Sequence, residues 1–206
     1  MSTRQIDLRK SEFGTEYATR NPVTPESSRL LIRRWSRMLQ HAIAPFPQSV
    51  LEVGCNLGRN LAALVQMVPE VHAVEPNLEV MERARANPAL ARASIQAGTA
   101  FDLPYEDRSI DLVFTSGVLI HVNPKDLPDA VDEIVRVARH YVLCIEYFSH
   151  EPVSVPYRGL NGQLFKRDFG RFYAERFPDL HALDYGFFWK PVDAADNSNW
   201  WLFAKS

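Results

Sequence analysis

The sequence is poor in the features that mark several common classes of protein. It has only 2 cysteines in 206 residues, which excludes a dense disulfide framework and favours free thiols in a reducing compartment. Its formal net charge is −2, whereas a general nucleic-acid-binding protein usually carries a large basic excess. It has no run of about 18 apolar residues, so no membrane span is expected.

Two further absences narrow the expected chemistry and location. The 6 histidines are scattered, and no cysteine–histidine group has metal-ligand spacing, so we expect no metal. The segment "MSTRQIDLRKSEFG" contains no apolar core, so we expect no secretory signal and a cytoplasmic protein. The expected partner is a small molecule, bound by a monomer or a weak homodimer, with no nucleic acid and no membrane.

What the chain does contain indicates one globular domain. Apolar residues make up 46% of the sequence, which is enough for a sizeable buried core. We predict a single domain over 1–206. Within it, 1–45 would form an N-terminal lid and helix, 46–148 a cofactor-binding core, and 149–206 an acceptor-binding segment and a terminal hairpin.

Strand-like and helix-like segments alternate along most of the chain. A helix is predicted over 24–43, with Thr24 as its cap and Pro25 at its first position. The later predicted helices are "GRNLAALVQMV", "NLEVMERARAN" and "KDLPDAVDEIVRVA", and the predicted strands are "SVLEV", "VHAVE", "ARASIQAG", "SIDLVFTSG" and "HYVLCIEYF". This order predicts an α/β, Rossmann-like fold with a parallel sheet covered by helices on both faces.

The end of the chain departs from this alternation. The segments "LHALDYGFFWK" and "NWWLFAKS" are both strand-like and are separated by a short polar loop with no helix. They predict a C-terminal antiparallel hairpin and hence a mostly parallel sheet of seven strands. We interpret Trp189, Trp200 and Trp201 in this hairpin as core and edge packing.

The turn "VLEVGCNLGRN" after the first strand indicates a cofactor site. Gly54 permits a tight turn, and Gly58 lets the following helix approach the sheet. A dinucleotide site needs a glycine between them so that the backbone can approach a pyrophosphate, but Asn56 stands there. The turn therefore favours an adenosine cofactor without phosphates, such as S-adenosylmethionine, whose amino-acid end Asn56 and nearby backbone groups would bind. Glu52 would order the turn or reach the ammonium group through water.

The end of the second predicted strand supports the same cofactor. Glu75 ends this strand, where an acid can accept hydrogen bonds from both ribose hydroxyls. Pro76 would then lie against the adenine. The two carboxylates and the glycine turn fall at the carboxyl ends of neighbouring strands, which is where open α/β sheets bind ligands.

The segment "AGTAFDLPYEDRSIDLVFTSGVLIHV" resembles the class I S-adenosylmethionine-dependent methyltransferases, as does the layout of five parallel strands closed by a hairpin. Thr99 stands where the family commonly has Asp, so a weaker side-chain contact or the backbone would hold the adenine amino group. The resemblance implies S-adenosylmethionine as cofactor, S-adenosylhomocysteine as product and no metal. The candidate cofactor-binding residues are Glu52, Gly54, Cys55, Asn56, Gly58, Asn60, Glu75, Pro76, Gly98, Thr99, Ala100, Ser116, Gly117 and Val118.

A narrower resemblance covers nearly the whole chain. The segments "EFGTEYATRN", "GCNLGRNLAAL", "GVLIHVNPKDLP", "EYFSHEPVSVPYRG", "LFKRDF" and "DYGF" resemble the small methylases associated with pseudaminic acid biosynthesis. This group includes the phosphonate O-methyltransferase of dehydrophos biosynthesis. The resemblance implies O-methylation of a small anionic metabolite, with a phosphonate in antibiotic biosynthesis as the expected acceptor.

A basic segment after the fifth predicted strand is the candidate acceptor site. The stretch "YRGLNGQLFKRDFGRFYAER" contains more basic than acidic residues in a chain that is acidic overall. Basic side chains can hold an oxyanion, and arginine does so with two donors. A solvated basic face is the alternative. The candidate substrate-binding residues are Arg20, Asn21, Tyr147, Tyr157, Arg158, Lys166 and Arg167.

The candidate catalytic residues are Tyr17 and His121. The segment "EYATRN", which contains Tyr17, would fold over the cofactor as part of a lid, or would only pack against the domain. His121 follows the fourth predicted strand and would bind the acceptor or take a proton. Glu146 would act as a base or pair with Arg158, and we favour the pairing.

Other functions fit parts of the same pattern. The main alternatives are a methylase of an acidic nonulosonic surface sugar or of a small amine, and a non-catalytic cofactor-binding regulatory protein. A nucleic-acid methyltransferase is disfavoured because no "NPPY"-like motif follows the fourth strand. A dehydrogenase is disfavoured by Asn56.

Overall fold

The structure is a computed structural model. It describes residues 6–7, 10, 25–157, 160–193 and 196–206, and for 25–28, 160 and 161 it describes the backbone alone. The helix cap predicted for Thr24 lies outside these residues.

A seven-stranded sheet forms the centre of the molecule. The described residues form nine strands, of which seven belong to this sheet. They are β1 (Ser49–Val53), β2 (Glu70–Glu75), β3 (Ala93–Ala97), β4 (Ile110–Ser116), β5 (Ala138–Glu146), β6 (Val153–Tyr157), β7 (Leu160–Lys166), β8 (Leu180–Phe188) and β9 (Ser198–Lys205). The sheet order is β3-β2-β1-β4-β5-β9-β8, and β6 and β7 form a separate hairpin. Strands β1 to β5 pair in parallel, and β9 is antiparallel to both of its neighbours. The predicted α/β, Rossmann-like, mostly parallel sheet with a C-terminal antiparallel hairpin is confirmed.

Helices cover both faces of the sheet. They are α1 (Pro25–Leu39), α2 (Leu61–Leu64), α3 (Leu78–Arg85), α4 (Leu127–Val137), α5 (Phe169–Arg176) and α6 (Lys190–Asp193). One core cluster joins the sheet to α1, α2 and α3, and a second joins it to α4 and α5. Adjacent residues of β4 alternate between the two, with Phe114 in the first and Val113 in the second, as the two-residue period of a strand requires. No described helix is long and apolar enough to cross a membrane.

Local side-chain caps explain where two helices begin. The Asn77 side chain accepts hydrogen bonds from the backbone N–H groups of Glu79 and Val80 at the start of α3. The Asp168 side chain accepts one from the N–H of Arg171 at the start of α5. Such caps satisfy amide groups that have no partner within the helix. They fix the positions at which the chain turns away from the sheet edge.

The structure differs from the predicted elements in four places. The helix predicted over "GRNLAALVQMV" is regular only as α2. The hairpin β6–β7 and helix α5 occupy the acceptor segment, for which no elements were predicted. One helical turn, α6, separates β8 from β9 where only a loop was expected.

Trp189 does not pack as predicted. It follows the last residue of β8 and is 54% exposed, whereas Trp200 is buried within β9. Trp201 is partly buried on the other face and lies against Gly170 of α5, where a side chain would collide with its indole. The packing interpretation is therefore right for Trp200 and Trp201 and wrong for Trp189, which lies beyond the strand.

Candidate functional site

The carboxyl ends of the central strands surround a cavity of about 270 Å³. Helix α1 and the beginning of β9 complete its wall. The sequence-predicted site residues in this wall are Glu52, Gly54, Cys55, Asn56, Asn60, Glu75, Pro76, Ser116, Gly117, Val118, His121 and Tyr147. Arg34, Arg59 and Asp196 also line this wall.

A second, mostly apolar pocket of about 80 Å³ adjoins the first. The two share the wall residues Gly54, Pro76, Val118 and His121, so they lie against each other, and together they are called the joined cavity. The predicted residues Gly98, Thr99 and Ala100 line the apolar pocket. The Thr99 hydroxyl accepts a hydrogen bond from the N–H of Phe101 at 3.3 Å, so it orders its own turn.

The turn after β1 has a backbone shape that its residues make possible. Gly54, Asn56 and Gly58 all have positive φ, of 78°, 53° and 75°, and glycine and asparagine tolerate this conformation best. A side chain on Gly54 would come within 2.8 Å of Val118 Cγ2. Gly58 lies against Leu90 and does not border either cavity described here, so its contribution is to packing. The Asn56 side-chain oxygen accepts the N–H of Leu57 at 2.7 Å and helps to order the turn.

Glu75 is held in place by this turn. Its Oε2 accepts the N–H of Asn56 at 2.8 Å, and its Oε1 accepts the N–H of Asn77 at 3.0 Å. The residue is 7% exposed and lines the larger of the two pockets. A carboxylate oxygen can accept more than one hydrogen bond, so Glu75 can hold a diol while the backbone fixes its orientation.

Glu52 is the most deeply buried acid of the cavity wall. Its Oε1 accepts a hydrogen bond from Asn60 Nδ2 at 2.6 Å, while its Oε2 is buried and has no partner among the described residues. Burial raises the pKa of Glu52 to about 8, and the negative charge of Glu75 adds to this effect. A ligand cation at Oε2 would satisfy this oxygen and favour the ionised form.

Arg34 is a wall residue that the sequence analysis missed. It is 9% exposed, and its Nε is buried with no partner among the described residues. Its guanidinium lies 4.1 Å from the ring centroid of Phe188. Burial lowers the pKa of Arg34 to about 10, and the nearby charge of Arg59 contributes. A signal existed, because Arg34 falls at a core-facing position of the apolar stripe that Leu31 and Met38 define on α1.

Glu146 has backbone partners that the sequence analysis did not consider. It is fully buried at the end of β5, and its two carboxylate oxygens accept the backbone N–H groups of Val118, Leu119 and Ile120 at 3.1, 3.0 and 3.3 Å. Burial raises the pKa of Glu146 to about 7, and these amide hydrogen bonds oppose that rise. The predicted pairing with Arg158 stays a prediction, because Arg158 lies outside the described residues.

His121 connects the sheet edge to the hairpin β6–β7. Its Nδ1 lies 2.7 Å from the carbonyl oxygen of Gln163 on β7, and its ring meets that of Tyr157 edge to face, with centroids 5.3 Å apart. Because a carbonyl only accepts, Nδ1 must carry a proton. A neutral ring at this site therefore has its lone pair on Nε2.

The structure separates the two basic residues at the end of β7. The Lys166 Nζ lies 5.4 Å from the ring centroid of Tyr147, a residue of the cavity wall. The Tyr147 hydroxyl donates to Asp196 Oδ2 at 3.1 Å. The Arg167 guanidinium instead lies 4.1 Å from the ring centroid of Phe172 on α5. Lys166 thus contacts a residue of the cavity wall and Arg167 contacts α5, and neither of them, nor Tyr157, borders the two pockets.

Four candidate residues fall outside the part of the chain that the structure describes. They are Tyr17, Arg20, Asn21 and Arg158. Their proposed roles stay predictions.

The residues of the joined cavity fit S-adenosylmethionine chemically. An unsatisfied buried guanidinium nitrogen at Arg34 and an unsatisfied carboxylate oxygen at Glu52 suit the carboxylate and ammonium of its amino-acid end. The Glu75 carboxylate suits a ribose diol, and the apolar pocket suits a purine. Among the described residues, no group of three or more metal-ligating side chains exists.

Known proteins resemble this chain in both sequence and fold. Residues 51–145 match the family model described as "Methyltransferase domain". An uncharacterized methyltransferase of Schizosaccharomyces pombe is 33% identical over 110 residues, which cover 47% of this chain and 39% of that protein. The chain spans about half or less of the length of the first curated relatives that it matches.

Two solved structures show how far the likeness in fold extends. Magnesium protoporphyrin IX methyltransferase from Synechocystis, with bound S-adenosylmethionine, aligns with a TM-score of 0.71 at 12% identity over 100% of this chain and 99% of that one. A 1,6-didemethyltoxoflavin N1-methyltransferase from Burkholderia thailandensis aligns with a TM-score of 0.68 at 16% identity over 98% and 87%.

The fold of the described chain is that of the class I S-adenosylmethionine-dependent methyltransferases. The family model matches residues 51–145, which contain most of β1, all of β2 to β4 and most of β5. These likenesses agree with the class of protein that the sequence analysis expects, and the Synechocystis enzyme has been solved with S-adenosylmethionine and with S-adenosylhomocysteine bound.

Proposed function

We propose that the protein transfers the methyl group of S-adenosylmethionine to an oxygen of a small anionic acceptor, with a phosphonate as the first acceptor to test. The observation that supports this most directly is the joined cavity. One part of it has charged groups of both signs, and the other is apolar. This division matches a cofactor with a zwitterionic end and a purine end.

The cofactor would be held by residues from several strand ends. Arg34 and Glu52 would receive the carboxylate and the ammonium of its amino-acid part, and Glu75 would accept the ribose hydroxyls. Asn60 would keep the Glu52 carboxylate in place through its hydrogen bond of 2.6 Å. When bound, S-adenosylmethionine supplies a methyl group on a cationic sulfur.

The acceptor would enter beside His121, Tyr147 and Lys166. A phosphonate oxygen is already ionised near neutral pH, so the reaction needs no proton acceptor. The task of the protein is then to exclude water and to align the acceptor oxygen with the methyl group. The positive charge of Lys166 favours an anion at this end of the cavity.

A second candidate is methyl transfer to a hydroxyl or an amine, as in the nonulosonic-sugar and small-amine alternatives. The position of the His121 proton favours it, because the hydrogen bond from Nδ1 to Gln163 leaves Nε2 as the basic atom of a residue that lines both pockets. A neutral imidazole can take a proton from such an acceptor. A structural neighbour is named as an N1-methyltransferase.

The proposals can be separated by measuring release of S-adenosylhomocysteine with phosphonates, carboxylates, nonulosonic sugars and amines. With a phosphonate acceptor, His121→Gln should reduce kcat by less than about tenfold, because no proton has to be removed. With a hydroxyl or amine acceptor, the same change should remove the about 10²–10⁴-fold that general base catalysis supplies. Cofactor binding without product release from any acceptor class would favour the non-catalytic alternative.

A further inference from the structure

The short turn after β4 contributes to both pockets, and its shape depends on one buried side chain. This turn, Val118–His121, has the internal hydrogen bonds from His121 N to Val118 O and from Val122 N to Leu119 O, at 2.9 and 3.0 Å. Val118 and His121 line both pockets. A small shift of the turn would therefore change the wall of the entire cavity.

Glu146 supplies the partners that the turn lacks within itself. Three consecutive N–H groups, those of Val118, Leu119 and Ile120, point to its carboxylate. At the neighbouring position the N–H of Gly117 binds the carbonyl of Ile145 at 2.9 Å. The last two residues of β5 thus hold four successive amides of the chain that leaves β4.

Glu146 is buried away from both pockets. The residue is 0% exposed, and it does not border either described pocket. An unpaired acid in such a place would be strongly unfavourable, and the three backbone amides satisfy its oxygens. An apolar or neutral replacement would leave some of these amides buried without an acceptor.

We propose that Glu146 is a positioning residue, which sets the Val118 wall of the cofactor cavity and the direction of the His121 ring by holding the amides of Val118, Leu119 and Ile120. It acts through the turn without touching cofactor or acceptor. The inference rests on the proposed function, since the cavity must hold S-adenosylmethionine for the effect on binding to appear.

Glu133 of α4 offers a matched control. Its Oε1 accepts the N–H of Leu103 at 2.8 Å and its carboxylate pairs with Arg136. It borders neither described pocket. Glu133→Gln should therefore lower thermal stability without changing the cavity, whereas Glu146→Gln should change both.

The first measurement is the calorimetric affinity for S-adenosylhomocysteine and S-adenosylmethionine. We expect about tenfold weaker binding for Glu146→Gln and a larger loss for Glu146→Ala, since small displacements in a site can cost up to about a hundredfold. The ¹⁵N shifts of the His121 ring should also change in Glu146→Gln. Unchanged affinity and unchanged ring shifts in a folded Glu146→Gln protein would overturn the proposal.

A second measurement needs no variant. In the wild-type protein without ligand, the amides of Val118, Leu119 and Ile120 should already be protected from hydrogen exchange, because Glu146 holds them before any ligand arrives. Fast exchange that becomes slow only when the cofactor binds would mean that the ligand sets the turn, which also overturns the proposal. If the wild-type protein binds no cofactor, the proposed function fails, and the exchange result still decides the role of Glu146.

Discussion

The two ends of the cavity are built in different ways. The cofactor end comes mainly from one short stretch of sequence, the turn after β1, together with Glu75 at the end of the next strand. The proposed acceptor end draws on the turn after β4, the hairpin β6–β7 and the beginning of β9, which are distant in sequence. A site built from local turns can be recognised from its residues, whereas one assembled from distant elements needs the fold.

Loss of Glu75 should have the largest effect at the cofactor end. Glu75→Ala removes the proposed bonds to the ribose and also releases the amides of Asn56 and Asn77. We expect affinity for S-adenosylmethionine to fall by about 1.5–3 kcal/mol, the value of hydrogen bonds to a charged group. Calorimetry with Glu79→Ala, an exposed acid of α3, provides the control. Equal affinities in the two folded variants would remove Glu75 from the site.

The contrast between the two ends explains what the sequence could predict. The positive φ values of Gly54 and Gly58, the place of Glu75 at a strand end and the layout of the sheet all follow from local patterns. Arg34 was missed because a single arginine on an apolar helix face resembles a surface residue until α1 is placed over the strand ends. The environment of Glu146 was missed because its partners are backbone amides 26 to 28 residues away, and backbone groups leave no signal in the sequence.

Arg34 is an exception to this division, because it lies on α1 and not in the turn after β1, and yet belongs to the proposed cofactor end. Arg34→Gln keeps a neutral donor and removes the charge, so affinity for S-adenosylmethionine should fall by about 1–1.5 kcal/mol, the difference between a charged and a neutral hydrogen bond. Stability of the ligand-free protein should not fall in parallel, because Arg34 Nε has no partner among the described residues. The control is Arg37→Gln on the exposed face of the same helix. An equal loss of affinity for S-adenosylmethionine in both variants would show a general effect of charge.

Glu52 gives a prediction that depends on pH. Its folded-state pKa of about 8 lies above the ordinary value of 4.5, so its contribution to stability is fully present below about pH 4.5 and is lost as pH rises towards 8. Without ligand, Glu52→Gln should therefore flatten the fall in stability between these pH values.

Binding of the ligand ammonium should reverse this shift. It would lower the pKa of Glu52, so that binding at pH 7 releases up to about one proton. Calorimetry in buffers of different ionisation enthalpy would measure the release, and Glu52→Gln should abolish it. Proton release that persists in this variant would have to come from another group.

Lys166 should have the smallest effect, and it tests the acceptor end alone. Lys166→Met removes a partly exposed charge beside the Tyr147 ring, and solvent screens such a charge. We expect KM for an anionic acceptor to rise by a few fold, about 0.5–1 kcal/mol, with little change in affinity for the cofactor.

Lys125→Met, which removes an exposed charge near the start of α4, is the matched control, and its KM should stay at the wild-type value. The effect of Lys166→Met should also shrink at high salt and vanish for a neutral acceptor. If KM rose as much for a neutral acceptor as for an anionic one, Lys166 would act through packing on Tyr147. The preference of the acceptor end for anions would then come from other residues.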